Sequence, residues 1–426
     1  MNAAAEVAVA ERPLCVGLEG SLIRGDLLLE ALLVLVKRNP LNLLRALGWL
    51  LQGTSQFRSQ LSSRVELDPA ALAYDADYVA WLRQQRQAGR TLWLCTATNG
   101  PLAKRVAGHL NLFEGVVAGD TASIEIDAPA RVARPPRWRA FVRALRPHQW
   151  AKNTLLLVPL LASHHLMIAG SLLQGMLGLA AFCLGASSVY IVNDLLDLPA
   201  DRAHPRKSRR PFAAGEVSIR SGLILAPALL GAAVLIGCLL PQRFVSVFAA
   251  YYGLTLAYSL ALKGRVILDA LVLAGLYTLR VIAGAAAVSV PLSFWLLLFS
   301  VFLFLSLAFL KRFAELDALR RQHRLRAGGR GYVVEDLSIL QSLGTAAGYL
   351  SVLVLALYIN SPDIQALYHR PKVIWMLCVL LLYWISRVWM LAQRGRMHDD
   401  PVVFALKDRV SIGIAALATV TVIVAI

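Results

Sequence analysis

Charge is scarce in this sequence. Asp, Glu, Lys and Arg make up 16% of its 426 residues, against 58% hydrophobic. Mean hydropathy is +0.60. A chain so poor in charge cannot clothe an ordinary soluble surface, which excludes a wholly soluble globular protein. Cysteine is sparse too. Cys15, Cys95, Cys183, Cys238 and Cys378 are scattered without paired spacing, so no disulfide framework or zinc site is readable. The first residues, MNAAAEVAVAERP, lack a basic region followed by an apolar core, so no cleavable signal peptide is expected. Acidic residues are few where basic ones are many. Residues 1–130 hold 12 Lys/Arg and 13 Asp/Glu, whereas residues 131–426 hold 31 and 13 and so carry the whole excess behind the chain's net charge of +17. Because that excess lies between apolar runs, it fits positive-inside loops and anionic lipids or phosphates and not nucleic acid. No internal repeat of hydropathy is visible, which weighs against a transporter.

Long apolar runs are present instead. Spans are expected at 153–169, 171–192, 221–240, 243–261, 267–289, 292–310, 341–360, 372–391 and 409–426, each near the ~20 residues that cross a bilayer as a helix. His164 and His165 shorten the first, in a loop. Alternate loops are basic. One holds Arg202, Arg206, Lys207, Arg209, Arg210 and Arg220, the next Lys263 and Arg265. A third holds Lys311, Arg312, Arg320, Arg321, Arg324, Arg326 and Arg330, and the last Arg394, Arg396, Lys407 and Arg409. This bias predicts a multi-pass inner (plasma) membrane protein of bacterial type, with its N-terminal region in the cytosol and its C-terminus outside. Residues 1–125 alternate apolar strands (ERPLCVGLEGSLI, GRTLWLCTATNG, GVVAGD) with helical patterns, which predicts a small α/β domain. The run LLLEALLVLVKRNPLNLLRALGWLL is broken by Lys37, Arg38, Pro40 and Arg45, so it reads as a cap pair or a surface helix on the membrane. The expected organisation is an α/β domain over 1–125, a linker over 126–145 and a transmembrane domain over 146–426. The fold class is thus multi-pass all-α, about nine transmembrane helices, with a small N-terminal α/β soluble domain.

The chemistry concentrates where the second run ends, in NDLLDLPADRAHPRKSRRP. Asp194, Asp197 and Asp201 are spaced three and four apart, so one helix would carry all three carboxylates on one face, beside Asn193. Clustered carboxylates repel unless a cation joins them, and hard oxygen ligands that also take substrate phosphate suit Mg²⁺. Arg202, His204, Lys207, Arg209 and Arg210 follow, ready to bind those phosphates. The plainer alternative is a solvated loop that anchors a helix end. YSLALKGRVILDALVLAGLYTLRVIAG presents Tyr258, Lys263, Asp269 and Arg280. Asp269 and Arg280 are ionisable inside an apolar pattern, which points to a cavity with partners. Eleven residues separate them, about three turns, so they cannot pair with each other along one helix. LKRFAELD presents Lys311, Arg312 and Glu315, also readable as a positive-inside anchor. RPHQWAKN presents Lys152 and Asn153, with Trp150 read as an interfacial anchor. DDPVVFALKDRVS, with Asp408 and Arg409, could close the pocket floor.

These residues resemble the UbiA superfamily of intramembrane prenyltransferases over about residues 140–426. The family motif NDxxDxxxD stands here as Asn193, Asp194, Asp197 and Asp201, and the resemblance implies Mg²⁺ held on a substrate diphosphate. Aromatic-prenylating members carry a second aspartate-rich motif after the sixth span, where this sequence has KRFAEL. With RPHQWAKN, YSLALK followed by Asp269, and HPxKxxRP (His204, Pro205, Lys207, Arg210, Pro211), the chain is similar to the decaprenyl-phosphate phosphoribosyltransferase branch. That resemblance implies transfer of 5-phosphoribose from phosphoribosyl diphosphate to a polyprenyl phosphate. Asp194, Asp197 and Asp201, with Lys263 and Asp269, would do the catalytic work. Lys207 and Arg210 would steady the leaving diphosphate, and Lys263, Arg280, Lys311 and Arg312 the other phosphates. Residues 1–125 resemble a haloacid-dehalogenase-type phosphatase in which GLEGS replaces DxDGT. Gly17 stands for the nucleophilic Asp, Glu19 for the second Asp, and Thr96 fits the second motif. Without a nucleophile phosphoryl transfer should fail, which implies a degenerate docking or regulatory module. An unrelated α/β domain with a Gly turn is the alternative. Two other functions stay open: prenyl transfer from a prenyl diphosphate to an aromatic, quinone or haem precursor, and a non-catalytic lipid-binding or transport protein. The sequence leaves the oligomeric state unknown.

Overall fold

The computed structural model describes residues 13–96, 100–118, 138–163, 168–204, 206–323, 331–361, 368–397 and 400–425. Pro205, His164, His165, Arg324, Arg326, Arg330 and most of the expected linker lie outside them. The chain divides into two compact units. One comprises Met1–Arg146 with Tyr190–Ala228, the other Pro147–Val189 with Leu229–Ile426.

In the first unit, β1 (Leu14–Gly17), β2 (Leu92–Thr96) and β3 (Gly115–Ala118) form a parallel sheet in the order β1-β2-β3. Leu14 pairs with Leu92 and Trp93 with Gly115. Helices α1 (Leu27–Arg38), α2 (Asn42–Leu51), α3 (Thr54–Arg64), α4 (Ala76–Gln87) and α5 (Gly100–Leu110) make the connections. Buried leucines and valines from the strands and α1, among them Leu14, Val16, Leu27 and Leu94, share one core. Parallel strands buried on both faces read as continuous apolar runs, which is why these three were visible in the sequence. Asn39 and Pro40 break the leucine-rich run into α1 and α2, because proline excludes the helical conformation from its predecessor. Leu44 and Leu51 on α2 stay exposed. Cys15 and Cys95 are joined as a disulfide across β1 and β2, a pairing that the sequence spacing did not reveal. Sheet register, invisible in sequence, brings their Cα atoms to 6.1 Å.

About nine spans were expected, and the described residues account for seven or eight of them. Among the described residues seven helices are long and apolar enough to cross a membrane: Gly170–Leu196, Ile219–Gly237, Gln242–Leu262, Leu268–Ala287, Phe294–Arg321, Val334–Ile359 and Pro371–Gln393. An eighth results if the pair Pro401–Lys407 and Arg409–Ala425, bent by 80°, is one span. Asp408 makes that bend. Its carboxylate accepts from the Ser411 backbone N–H and hydroxyl at 2.8 Å each and pairs with Arg387. The expected first span is instead a 3₁₀ segment, Pro147–Leu157, followed by the short helix Val158–Ala162. Lys152 and Asn153 are buried there, and their side chains bind polar partners that no lipid could supply. The segment packs on Gly284, where a Cβ would stand 1.9 Å from the Leu156 carbonyl oxygen. Helix Phe294–Arg321 runs well past residue 310, so Lys311, Arg312 and Glu315 stand on it and not in a loop. Arg320 and Arg321 each bond Asp317 one turn away, which carries the helix on.

Candidate functional site

The aspartate motif sits in the first unit. Helix Ala169–Leu196 ends just before Asp197, and a short helix, Leu198–Arg202, follows. The turn pattern continues across the break, since Asp197 N–H donates to the Asn193 carbonyl and Asp201 N–H to that of Asp197. The i, i+4 ladder therefore keeps the three carboxylates near one another, as their spacing implied. Asp194 and Asp201 are each only 2% exposed. They share one guanidinium nitrogen of Arg210, at 3.2 and 2.5 Å. Arg146 also donates to Asp194 and lies over the Tyr190 ring, 5.3 Å from its centroid. Burial pushes the Arg146 guanidinium below its ordinary value, with the Asp194 charge opposing the shift. Asp197 accepts from Lys37 Nζ at 2.6 Å.

Among the described residues no three carboxylate, histidine or cysteine side chains are grouped to hold a metal ion. Each acid of the motif faces a basic side chain, because carboxylates this close need positive charge. One atom is left over. Asp194 Oδ2 is buried with no hydrogen-bond partner among the described residues. An orphaned buried carboxylate oxygen is costly and is an open ligand position for a hard cation. Mg²⁺ needs only one or two carboxylates besides substrate phosphate. The residues therefore fit a divalent ion.

The motif's basic residues divide. Arg202 faces Glu30 with two 2.8 Å bonds and also donates to the Ala71 carbonyl, so it ties α1 to the motif and does not face open space. Lys207 is exposed. His204 Nδ1 accepts the backbone N–H groups of Arg206 and Lys207 at 3.1 and 3.3 Å. Burial, then the Lys207 charge, lower its pKa, which suits a neutral imidazole with that nitrogen free to accept. Asn193 is half-buried one turn before Asp197.

In the second unit a cationic cluster surrounds Asp400. Asp400 Oδ2 accepts from Lys152 Nζ at 2.7 Å and Lys311 Nζ at 2.8 Å, and Oδ1 from the Tyr277 hydroxyl at 3.3 Å. Burial alone would raise the Asp400 carboxyl, yet the two ammoniums hold it well below the usual carboxylate range. Burial and the neighbouring Lys311 bring Lys152 down to about 8. Arg280 lies beside them, donating to Asn153 Oδ1 at 2.9 Å, to the Leu276 carbonyl at 2.7 Å and to the Tyr251 hydroxyl at 2.9 Å. The rings of Tyr251 and Tyr277 flank it at 4.9 and 5.3 Å. Trp150, expected as an interfacial anchor, instead donates to the Ser187 hydroxyl at 2.9 Å.

Arg312 and Asp269 belong to a buried lock. Arg312 Nε donates to Asp269 Oδ2 at 2.5 Å, and its other nitrogens reach Glu315 at 2.7 Å and the Tyr258 hydroxyl at 2.9 Å. The Tyr332 hydroxyl donates to Asp269 Oδ1 at 2.6 Å and accepts the Ile267 N–H at 2.8 Å. Ile267 has φ of 64°, a conformation a β-branched residue adopts only when its surroundings impose it. Tyr258 opens a π-helical turn, Tyr258–Leu262, and Lys263 caps it, half-buried. Sequence reasoning missed Arg146, Lys37, Asp400, Tyr277, Tyr251 and Tyr332. Asp400 left a local trace in the helix-start pattern Asp-Pro of DDPVV, Arg146 opens the RPHQWAKN motif, and Tyr277 lies within the stretch that presents Asp269 and Arg280.

In the α/β part, Gly17 ends β1, and a Cβ there would meet nothing closer than Ser21 Oγ at 3.5 Å. There is room for an acid at this position, and none is there. Burial raises the Glu19 carboxyl beside it.

The family model described as the UbiA prenyltransferase family matches residues 154–410. The chain belongs to the UbiA prenyltransferase family. This UbiA protein is a multi-pass membrane transferase. It is 31% identical over 95% of its length to uncharacterized protein y4nM of Sinorhizobium fredii, covering 89% of that protein. It is 32% identical to the decaprenyl-phosphate phosphoribosyltransferase of Mycolicibacterium smegmatis, over 65% of this chain and 90% of that one. Among solved structures, a UbiA homolog from Archaeoglobus fulgidus bound to GPP and Mg²⁺ matches with TM-score 0.52 at 16% identity, over 66% of this chain and 99% of that one. At that identity the match shows the fold.

Proposed function

We propose that this UbiA-family protein transfers 5-phosphoribose from phosphoribosyl diphosphate to a polyprenyl phosphate in a Mg²⁺-dependent reaction at the cytosolic face of the bacterial inner membrane. One observation carries the reading. Among the described residues carboxylates cluster at the Asp194–Asp201 motif, whereas Lys152 and Lys311 converge on the single acid Asp400, with Arg280 bonded to the neighbouring Asn153, where the aromatic branch would need more carboxylates. A phosphoribosyl donor and a lipid phosphate bring a diphosphate and two further phosphates, which call for cations. The similarity to the decaprenyl-phosphate phosphoribosyltransferase supports the same branch.

In this reading Asp194, Asp197 and Asp201 hold the divalent ion, which would supply Lewis-acid stabilisation of the leaving diphosphate. Arg210 and Lys207 bind that diphosphate's oxygens. Lys152 and Lys311 take one remaining phosphate by exchanging a share of their bonds to Asp400. Arg280 keeps the Lys152–Asn153 segment in place from its tyrosine cage. The lipid phosphate is already an anion, so no strong base is needed, and positioning with charge stabilisation supplies most of the rate. Arg312 and Asp269 act at one remove, by fixing helices Leu268–Ala287 and Phe294–Arg321. The α/β part serves as a non-catalytic module. Mass spectrometry of lipids after incubation with both donors tests the assignment. A polyprenyl-phosphoryl phosphoribose supports it. A prenylated aromatic acceptor, with the phosphoribosyl donor untouched, would move the protein to the other branch.

A further inference from the structure

Asp26, Glu30 and Lys37 are spaced four and seven apart, so they lie along one face of α1. All three meet residues of the segment that carries the aspartate motif. Arg220 donates to Asp26 at 2.7 and 3.1 Å, Arg202 to Glu30 at 2.8 Å twice, and Lys37 to Asp197 at 2.6 Å. Helix and segment thus present complementary charges in register. The division into compact units agrees, since Tyr190–Ala228 groups with Met1–Arg146. The Arg202–Glu30 pair is the fixed point, with side chains only 8% and 4% exposed. The Lys37–Asp197 pair differs, with 41% and 27%. Of the cations on the motif's acids, Arg146 and Arg210 are 18% and 29% exposed. Arg146 is also held over a tyrosine ring. Lys37 is therefore the most exposed of the three, and it is a single ammonium on a flexible stem.

We propose that Lys37 is a displaceable cation of the metal site. It neutralises Asp197 when no divalent ion is bound and gives up that carboxylate when one arrives, so the N-terminal module sets the site's metal affinity. Glu30 and Arg202 are positioning residues that hold α1 for this exchange. The inference rests on reading Asp194, Asp197 and Asp201 as the metal site.

The test is Mn²⁺ binding to the full-length protein in detergent, followed by electron paramagnetic resonance without substrate. Removing the competitor in Lys37→Met should tighten Mn²⁺ about three- to fivefold, the fold-change of a half-exposed ion pair. Lys37→Gln should do the same, and adding Asp197→Asn should cancel the gain. Glu30→Arg alone should mimic Lys37→Met, and Glu30→Arg with Arg202→Glu should restore wild-type affinity. Unchanged or weaker Mn²⁺ binding in both Lys37 variants would overturn the inference. If Asp194→Ala also leaves Mn²⁺ binding intact, the metal site itself has been misplaced, a separate failure.

Discussion

Arg312 and Asp269 form an ion pair that is almost wholly dry, with side chains 1% and 0% exposed and Nε 2.5 Å from Oδ2. Tyr332 donates to the Asp269 carboxylate, and Tyr258 and Glu315 accept from the Arg312 guanidinium. Leaving one partner of such a pair alone costs about 3–5 kcal/mol. Asp269→Asn and Arg312→Met should therefore each lower the unfolding midpoint in detergent. Asp269→Asn with Arg312→Gln should recover part of the loss. Wild-type midpoints with lost turnover would instead place the two residues in the reaction itself.

Lys152 gives a pH signature. Its pKa is lowered to about 8, by burial first and then by Lys311. The charged form, the one proposed to bind phosphate, is present below that value and is lost as pH rises through it. kcat/KM should fall above about pH 8. Lys152→Arg keeps its charge at every accessible pH, so a retained but pH-flat profile is expected for that variant. An unshifted inflection in Lys152→Arg would assign the titration to another group.

Gly284 tests whether the 3₁₀ segment is held as described. A Cβ there would meet the backbone of Leu156, which cannot yield without moving Asn153 and Lys152. Gly284→Ala should cost about 1–3 kcal/mol of stability. It should also raise KM for the phosphate substrates. Normal stability and KM would show that the segment is free to shift.

Metal binding should be visible without turnover. A ligand at a hundred times its Kd stabilises by about 2.7 kcal/mol. Mg²⁺ should raise the wild-type midpoint, and chelation should reverse the effect. Asp194→Ala, which removes the orphaned oxygen, should abolish the response. An equal Mg²⁺ response in wild type and variant would argue for a different site.

The legible parts of the molecule are those with local physics behind them. Apolar length revealed seven of the crossing helices, and continuous apolar strands revealed the parallel sheet. The spacing of Asp194, Asp197 and Asp201 revealed the acidic cluster. Segment 153–169 misled, because Lys152 and Asn153 are satisfied by Asp400 and Arg280, hundreds of residues away in the first case and over a hundred in the second. Hydropathy cannot register such partners. Asp400, Arg146 and Lys37 were hidden for the same reason, since each acts through a contact between distant parts of the chain. The fate of Arg202 shows the reverse error, where a residue beside a binding motif serves to hold the motif down.

The decisive measurement follows two labels in phosphoribosyl diphosphate, one on a ribose carbon and one on the diphosphate, during incubation with Mg²⁺, a polyprenyl phosphate and the purified protein. Breaking the bond between the anomeric carbon and the diphosphate should send the carbon label to the lipid fraction and leave the diphosphate label in water. Neither label should reach lipid with Asp194→Ala. If wild-type protein leaves both labels in water while consuming a prenyl diphosphate supplied beside them, phosphoribosyl transfer is contradicted.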